Sequence, residues 1–242
     1  MWGFGKSKEI ERIHLKFCKR LLNVKSSTSS NAICSELGRY PLFINRFVKI
    51  IQYWCNIVSS ANNVLTKMYH CLLETSINRN NWIYNVKTLL DRHVFSRVWI
   101  NPNSIGLKTF HLIFKQRLQD TFKQQWYNKL VASESVCTYR SYKTTMEFEE
   151  YIDLLPKKLR FALASLRLSS LKLRIETGRY PQNRIDRVQR KCLSCNVNDL
   201  EDEYHFVYIC PTYNDLSTTY IKKILLSTST CIHVCWTIYV YK

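Results

Sequence analysis

The sequence predicts a mainly α fold: a multi-helix bundle, then a small zinc knuckle, then an irregular or β-prone tail. Three observations predict it. Apolar residues recur at helical spacing through most of the 242 residues. Only five Gly and five Pro are present, fewer turn residues than all-β sandwiches or Gly-rich nucleotide folds usually need. Three Cys and one His stand at metal-ligand spacing near the C-terminus, Cys192, Cys195, His205 and Cys210.

The elements follow in order. Residues 8–23 form an amphipathic pattern, with Ile10, Ile13, Phe17 and Leu21 on one stripe and Lys and Arg opposite. A polar run at 25–31 separates it from a short helix that ends at Gly38, a left-handed C-cap. Pro41 opens a core helix through about Val58. Further helices are expected over 62–76 and 81–91. The Asn-Pro-Asn-Ser turn at 101–104 then precedes the clearest helix, about 107–130. Its apolar residues Leu107, Phe110, Phe114, Leu118, Phe122, Trp126 and Leu130 advance mostly in steps of four, so the buried face rotates and two sides should pack. Residues 156–168 form another helix, with Pro156 at its start, Leu159, Ala162, Leu163 and Leu166 on one face, and Lys157, Arg160 and Arg167 away from it. The segment 171–176 fits a short strand or a helix, with the pattern leaning to helix, and Gly178 ends it. From about Leu225 the chain is β-prone and uncharged until Lys242.

Lys and Arg number 36 against 18 Asp and Glu, a net charge of 36 − 18 = +18. That balance points to phosphate backbones or anionic surfaces as partners. No run of uninterrupted apolar residues is long enough to span a bilayer, so no membrane partner is expected. The opening Met1-Trp2-Gly3-Phe4-Gly5-Lys6 lacks the layout of a secretory signal. The ten Cys are therefore expected to be reduced, in an intracellular compartment, and most of them buried.

The metal-ligand pattern is C-x2-C-x9-H-x4-C. A C-x2-C turn sets two thiolates on one side of a tight loop, and His205 and Cys210 can complete a tetrahedron. Three sulfurs and one nitrogen suit Zn2+, and four protein ligands leave no open position for water, so one structural ion is expected. The acidic run Glu201-Asp202-Glu203 either supports the imidazole from behind or forms a solvated turn, the latter preferred. Between 156 and 191 stand eleven Lys or Arg against Glu176 and Asp186, a net of 11 − 2 = +9. Within it, Lys157, Arg160, Arg167, Arg179, Arg184, Arg187, Arg190 and Lys191 are the candidate phosphate contacts; solvated helix faces are the other reading. Gly3-Phe4-Gly5-Lys6-Ser7 lacks the first Gly of a phosphate loop. Cys231, His233 and Cys235 lack a fourth ligand nearby. His14, His70, His93 and His111 sit in helical patterns that identify no co-ligand for them, and they read as structural or surface groups. Converging carboxylates for two-metal polymerase chemistry are missing, and Glu149-Glu150 reads as surface charge. No catalytic residue is expected.

Several blocks resemble a known family. Trp2-Gly3-Phe4, the segment Ile10 to Val24, and Glu36-Leu37-Gly38-Arg39-Tyr40-Pro41-Leu42 resemble the region after the polymerase core in animal non-LTR (LINE-like) retrotransposon polyproteins. Leu166 to Ser170 and Ile175 to Tyr180 are similar to the stretch before their C-terminal knuckle, which Cys192, Cys195, His205 and Cys210 match. The resemblance covers roughly residues 2–222, and the tail departs from it, as a frameshifted or truncated copy would. It implies 1–150 as a helical post-polymerase region, 151–191 as a basic segment and linker, 192–213 as the knuckle, and 214–242 as a divergent tail. It also implies a role in target-primed reverse transcription, with RNA or DNA and an upstream polymerase region as partners, and a nuclear location. The polymerase carboxylates and endonuclease of that family lie upstream of the matching region. The x9 gap departs from the shorter gap of retroviral knuckles, so their binding mode is not carried over. Two further readings stand beside this one: a helical scaffold for protein interaction, and an element remnant without selected activity.

Overall fold

The computed structural model describes residues 3–5, 7–74, 81–102, 105–133 and 136–222. The tail beyond 222, with Cys231, His233 and Cys235, lies outside the described residues. The chain is mainly helical, and no strand occurs among the described residues. It divides into two compact units, residues 1–11 with 40–125 and residues 12–39 with 126–242. Residues 12–39 thus group with the C-terminal half of the sequence, a long-range pairing that local pattern does not reveal.

In the first unit α3 (Leu42–Val58) supplies Ile44, Phe47, Val48, Ile50, Ile51, Trp54 and Cys55 to the core. Pro41 sits at its N-cap, as its fixed φ and missing N–H favour. Glu11, in α1 (Lys8–Leu22), accepts the Phe43 N–H at 3.0 Å and satisfies one orphan donor of that turn. α5 (Trp82–Arg92) adds Ile83, Val86, Leu89 and Leu90, and Asn81 caps it by accepting the Tyr84 N–H at 2.7 Å. α6 (Ser96–Ile100) adds Val98. The first part of α7 (Leu107–Val131) closes this core with Phe110, Phe114 and Leu118. Phe95 meets Phe110 edge-on, with ring centroids 5.2 Å apart. α4 (Asn63–Glu74) buries no residue, although Tyr69 accepts the Trp54 indole N–H at 3.2 Å.

The rotation of the α7 face expected from steps of four is present. Trp126 and Leu130, at its C-terminal end, are buried in the second unit. There α2 (Ser30–Glu36) ends in a left-handed Gly38 with φ +56°, and the Arg39 N–H reaches back to the Cys34 carbonyl at 2.8 Å. α8 (Cys137–Tyr142), α9 (Tyr151–Leu154), α10 (Lys157–Arg167) and α11 (Arg174–Thr177) follow. Residues 171–173 are neither strand nor helix, and the single turn of α11 ends at Gly178.

The centre of this unit is ionic. Glu36 is fully buried, and its carboxylate accepts from Arg167 Nε at 2.5 Å, Tyr151 OH at 2.8 Å and Tyr139 OH at 2.9 Å. Arg167 also pairs with Glu149 at 2.9 Å, and Lys143 pairs with the same carboxylate. The guanidinium lies 4.7 Å from the Tyr142 ring centroid and 5.4 Å from that of Tyr151. Burial opposes the charge on Arg167, but Glu36, Tyr142 and Glu149 together outweigh it and raise its pKa, so Arg167 stays protonated. Burial and the same carboxylate push the Tyr139 and Tyr151 hydroxyls far up, which keeps them as donors.

Three expectations are corrected here. Arg167 does not point away from the core of its helix. The buried face of α10 is Leu163, Ala164 and Arg167, while Ala162 is exposed. Glu149 is not surface charge, because it answers Arg167 and Lys143. The apolar stripe of α1 is not its packed face: Ile13 is 65% and Phe17 57% exposed, whereas Cys18 and Leu22 are at 0%.

Two backbone positions give predictions of opposite sign. A Cβ on Gly38 would sit 2.6 Å from the Phe148 backbone N, at a φ that disfavours side chains. Gly38→Ala should therefore destabilise the chain by more than about 1 kcal/mol. Val94 ends α5 with φ +69° and is exposed, a left-handed site held by a β-branched residue. Val94→Gly should stabilise by about 1 kcal/mol. Urea unfolding midpoints check both. Arg167→Leu, which strands the buried Glu36 carboxylate, should cost about 3–5 kcal/mol in the same assay.

Candidate metal centre and its basic flank

The metal module starts from a turn. Cys192 donates its N–H to the Asp199 carbonyl at 2.9 Å, and Glu201 donates to the Arg190 carbonyl at 2.9 Å. These bonds close a hairpin-like loop over 192–199, and Asn198 takes the left-handed conformation it tolerates (φ +59°). Cys192 and Cys195 both stand on this loop. The other two ligands bracket a π-turn, His205–Ile209: His205 opens it and Cys210 follows it. The Cys210 N–H donates to the His205 carbonyl at 2.8 Å, a five-residue closure that brings the imidazole and the thiol to one side. Pro211 cannot extend that turn and opens a 3-10 turn instead. Thr212 then donates to the Ser194 carbonyl at 2.5 Å and ties the two halves together.

The four side chains converge. Their ligand atoms lie within 4.8 Å of one another, and Cys192, His205 and Cys210 are buried. Cys192 Sγ and Cys210 Sγ are 3.9 Å apart, too far for a disulfide. Cys195 Sγ lies 3.3 Å from His205 Nε2. A tetrahedron with metal–sulfur bonds of about 2.3 Å and a metal–nitrogen bond of about 2.0 Å has edges of about 3.8 Å (S–S) and 3.5 Å (S–N). The donor set therefore fits one ion of that size, bound through three sulfurs and Nε2. Burial pushes the Cys192 thiol up to about 11. At Cys210 burial acts the same way, but the Thr212 N–H and the neighbouring thiols outweigh it and lower its pKa. Removal of these protons by an ion links metal binding to the folding of the module.

The surroundings of the site correct the reading of its acidic run as a solvated turn. Glu201 accepts the Arg174 N–H at 3.0 Å, and Asp202 accepts the His205 N–H at 2.8 Å. Glu203 is buried and accepts from Thr138 at 3.2 Å. The carboxylate nearest His205 Nδ1 is Asp199, at 3.9 Å. That buried nitrogen has no hydrogen-bond acceptor among the described residues. With Nε2 on a metal, Nδ1 carries the proton, and a small rotation of Asp199 would receive it. Sequence proximity points to the acids adjacent to His205, whereas the return of the loop at Asn198 brings in Asp199, six residues earlier.

The eight basic candidates separate by environment. Lys157, Arg184 and Arg187 are exposed, and Lys191 is half-exposed beside the loop. Arg160 donates to the Ile152 carbonyl at 2.8 Å. Arg179 pairs with Glu176 at 2.9 Å. Arg190 donates to the carbonyls of Ile185 at 2.8 Å and Ile175 at 3.1 Å. Its aliphatic stem lies where a Cβ on Gly178 would stand, so Gly178 makes room for it. Arg167 is removed from the set of phosphate contacts, because its guanidinium is buried against Glu36 and Glu149. No helix among the described residues is long and apolar enough to cross a membrane. Comparison with protein-family models, curated proteins and solved structures yields no match.

Loss of one ligand should abolish tight binding. Cys195→Ser is expected to weaken the affinity for added Co2+ or Zn2+ by more than a hundredfold, followed by competition with a chelating dye. Asp199→Asn is expected to weaken it by about 10–100-fold, as for other outer partners of a ligating imidazole.

Proposed function

We propose that this chain is a nucleic-acid-binding module stabilised by one structural Zn2+, and that it corresponds to the C-terminal region of a non-LTR retrotransposon reverse transcriptase. In this reading it performs no catalysis. It contacts the RNA or DNA backbone while the upstream polymerase region of a parent polyprotein copies the element at a nicked site. The observation that carries the reading is the convergence of Cys192, Cys195, His205 and Cys210 directly after a strongly basic stretch. Zinc is the ion of choice for three thiolates and an imidazole in a closed tetrahedral site. Of the eight candidates, Lys157, Arg184 and Arg187 face solvent and Lys191 is half-exposed, and Lys158 and Lys172 are exposed in the same stretch. The family blocks in the sequence supply the retrotransposon assignment, and the net charge of +18 supplies the attraction for phosphate.

Purified chain should contain about one zinc per molecule, lost in Cys195→Ser. Affinity for a short RNA or DNA should fall steeply between about 50 and 200 mM salt, as counterions are released. Arg184→Glu with Arg187→Glu should weaken binding and reduce the magnitude of the log–log salt slope by about two. An affinity that stays flat with salt, or protein purified without zinc that folds normally, would overturn the proposal.

A further inference from the structure

The α1 helix carries an apolar face that its own unit does not use. Within the second unit, three rows run side by side along the helix at intervals of four residues, each about 100° round from the next. His14, Cys18 and Leu22 form the inner row, and the last two are fully buried. Ile13, Phe17 and Leu21 form the next, and they are 65%, 57% and 37% exposed. Arg12, Lys16 and Arg20 form the third, and all three are exposed. An exposed apolar ridge therefore stands between the packed face and a cationic ridge. Helices dock by setting such ridges into the grooves of a partner, and flanking charges select which partner fits.

We infer that this face of α1 binds an amphipathic helix whose apolar stripe is bordered by Asp or Glu. Charge complementarity fixes the class. Lys16 and Arg20 flank the ridge on one side, on a chain whose net charge of +18 would repel another basic surface. The aliphatic side chains of Ile13 and Leu21 fit a protein partner better than a polar duplex, which offers them nothing to bury against. Cations on one flank alone also orient the partner, since its acids must lie on that side.

The test uses the full chain and two synthetic three-heptad peptides of identical composition. One has Leu at a and d with Glu at e and g; in the other the same residues are scrambled so that no apolar face forms. Fluorescence anisotropy should show the amphipathic peptide binding at least tenfold more tightly than the scrambled one. Phe17→Ser and Ile13→Ser, which keep the charge, should each remove most of that difference, with circular dichroism unchanged because both sites are exposed. Lys16→Glu with Arg20→Glu should weaken the peptide further and favour a version with Lys at e and g. Equal binding of the two Glu peptides would overturn the inference and leave only general attraction to acid. So would anionic vesicles of phosphatidylserine and phosphatidylcholine that bind with the Phe17 dependence the peptide lacks, or displacement of the peptide by a 20-nucleotide RNA.

Discussion

The C-terminal unit is built round a carboxylate that water does not reach. Glu36 comes from a short helix early in the chain, and its partners come from residues 139–167, more than a hundred positions later. A buried charge must be answered by charge and hydrogen bonds at good geometry, or the structure opens to hydrate it. Arg167, Tyr139 and Tyr151 answer it, and Arg167 in turn is shared with Glu149. The backbone seconds the arrangement: Glu149 donates its N–H to the Glu36 carbonyl, and Leu37 bridges to Phe148 where Gly38 leaves room. Residues 30–39 are thereby held to the segment 139–167 by directional bonds, which specify one docking more narrowly than apolar contact would.

The metal module obeys a different economy. Its ring contacts, Tyr204 with Tyr208 and Phe206 with Tyr213, are too few to form a core. The module is instead tied by backbone bonds at its base and by four ligands at its centre. Three of its acids are drawn inward, to Arg174, His205 and Thr138, so they organise the loop more than they charge its surface. Arg190 belongs to the scaffold of the module, and Arg184 and Arg187 to its surface, although all three look alike in the sequence.

The second unit uses charge in three ways. Buried pairs specify the docking of distant segments. Half-buried arginines such as Arg160 and Arg190 satisfy carbonyls at helix and loop ends. Exposed cations remain for partners, on the metal-proximal flank and along α1. Only the last group makes the high net charge functionally available, and it includes half of the eight candidates between 156 and 191.

Local order was legible in the sequence where one residue type has one physical meaning. Pro41 before α3, Gly38 after α2, the rotating aromatic face of α7 and the ligand spacing at 192–210 each follow from backbone restriction, helical period or coordination chemistry. What only the tertiary structure decided is which of several chemically equivalent side chains is enclosed. Arg167 and Arg187 have the same donors and the same charge, and burial depends on whether a carboxylate waits at the far end of a fold. Glu36 does wait there for Arg167, across 131 residues. For α1 the period marked an apolar stripe correctly but not the side on which the protein would pack. Amphipathicity records that a face prefers to be covered, and only the arrangement of neighbours determines whether the chain covers it.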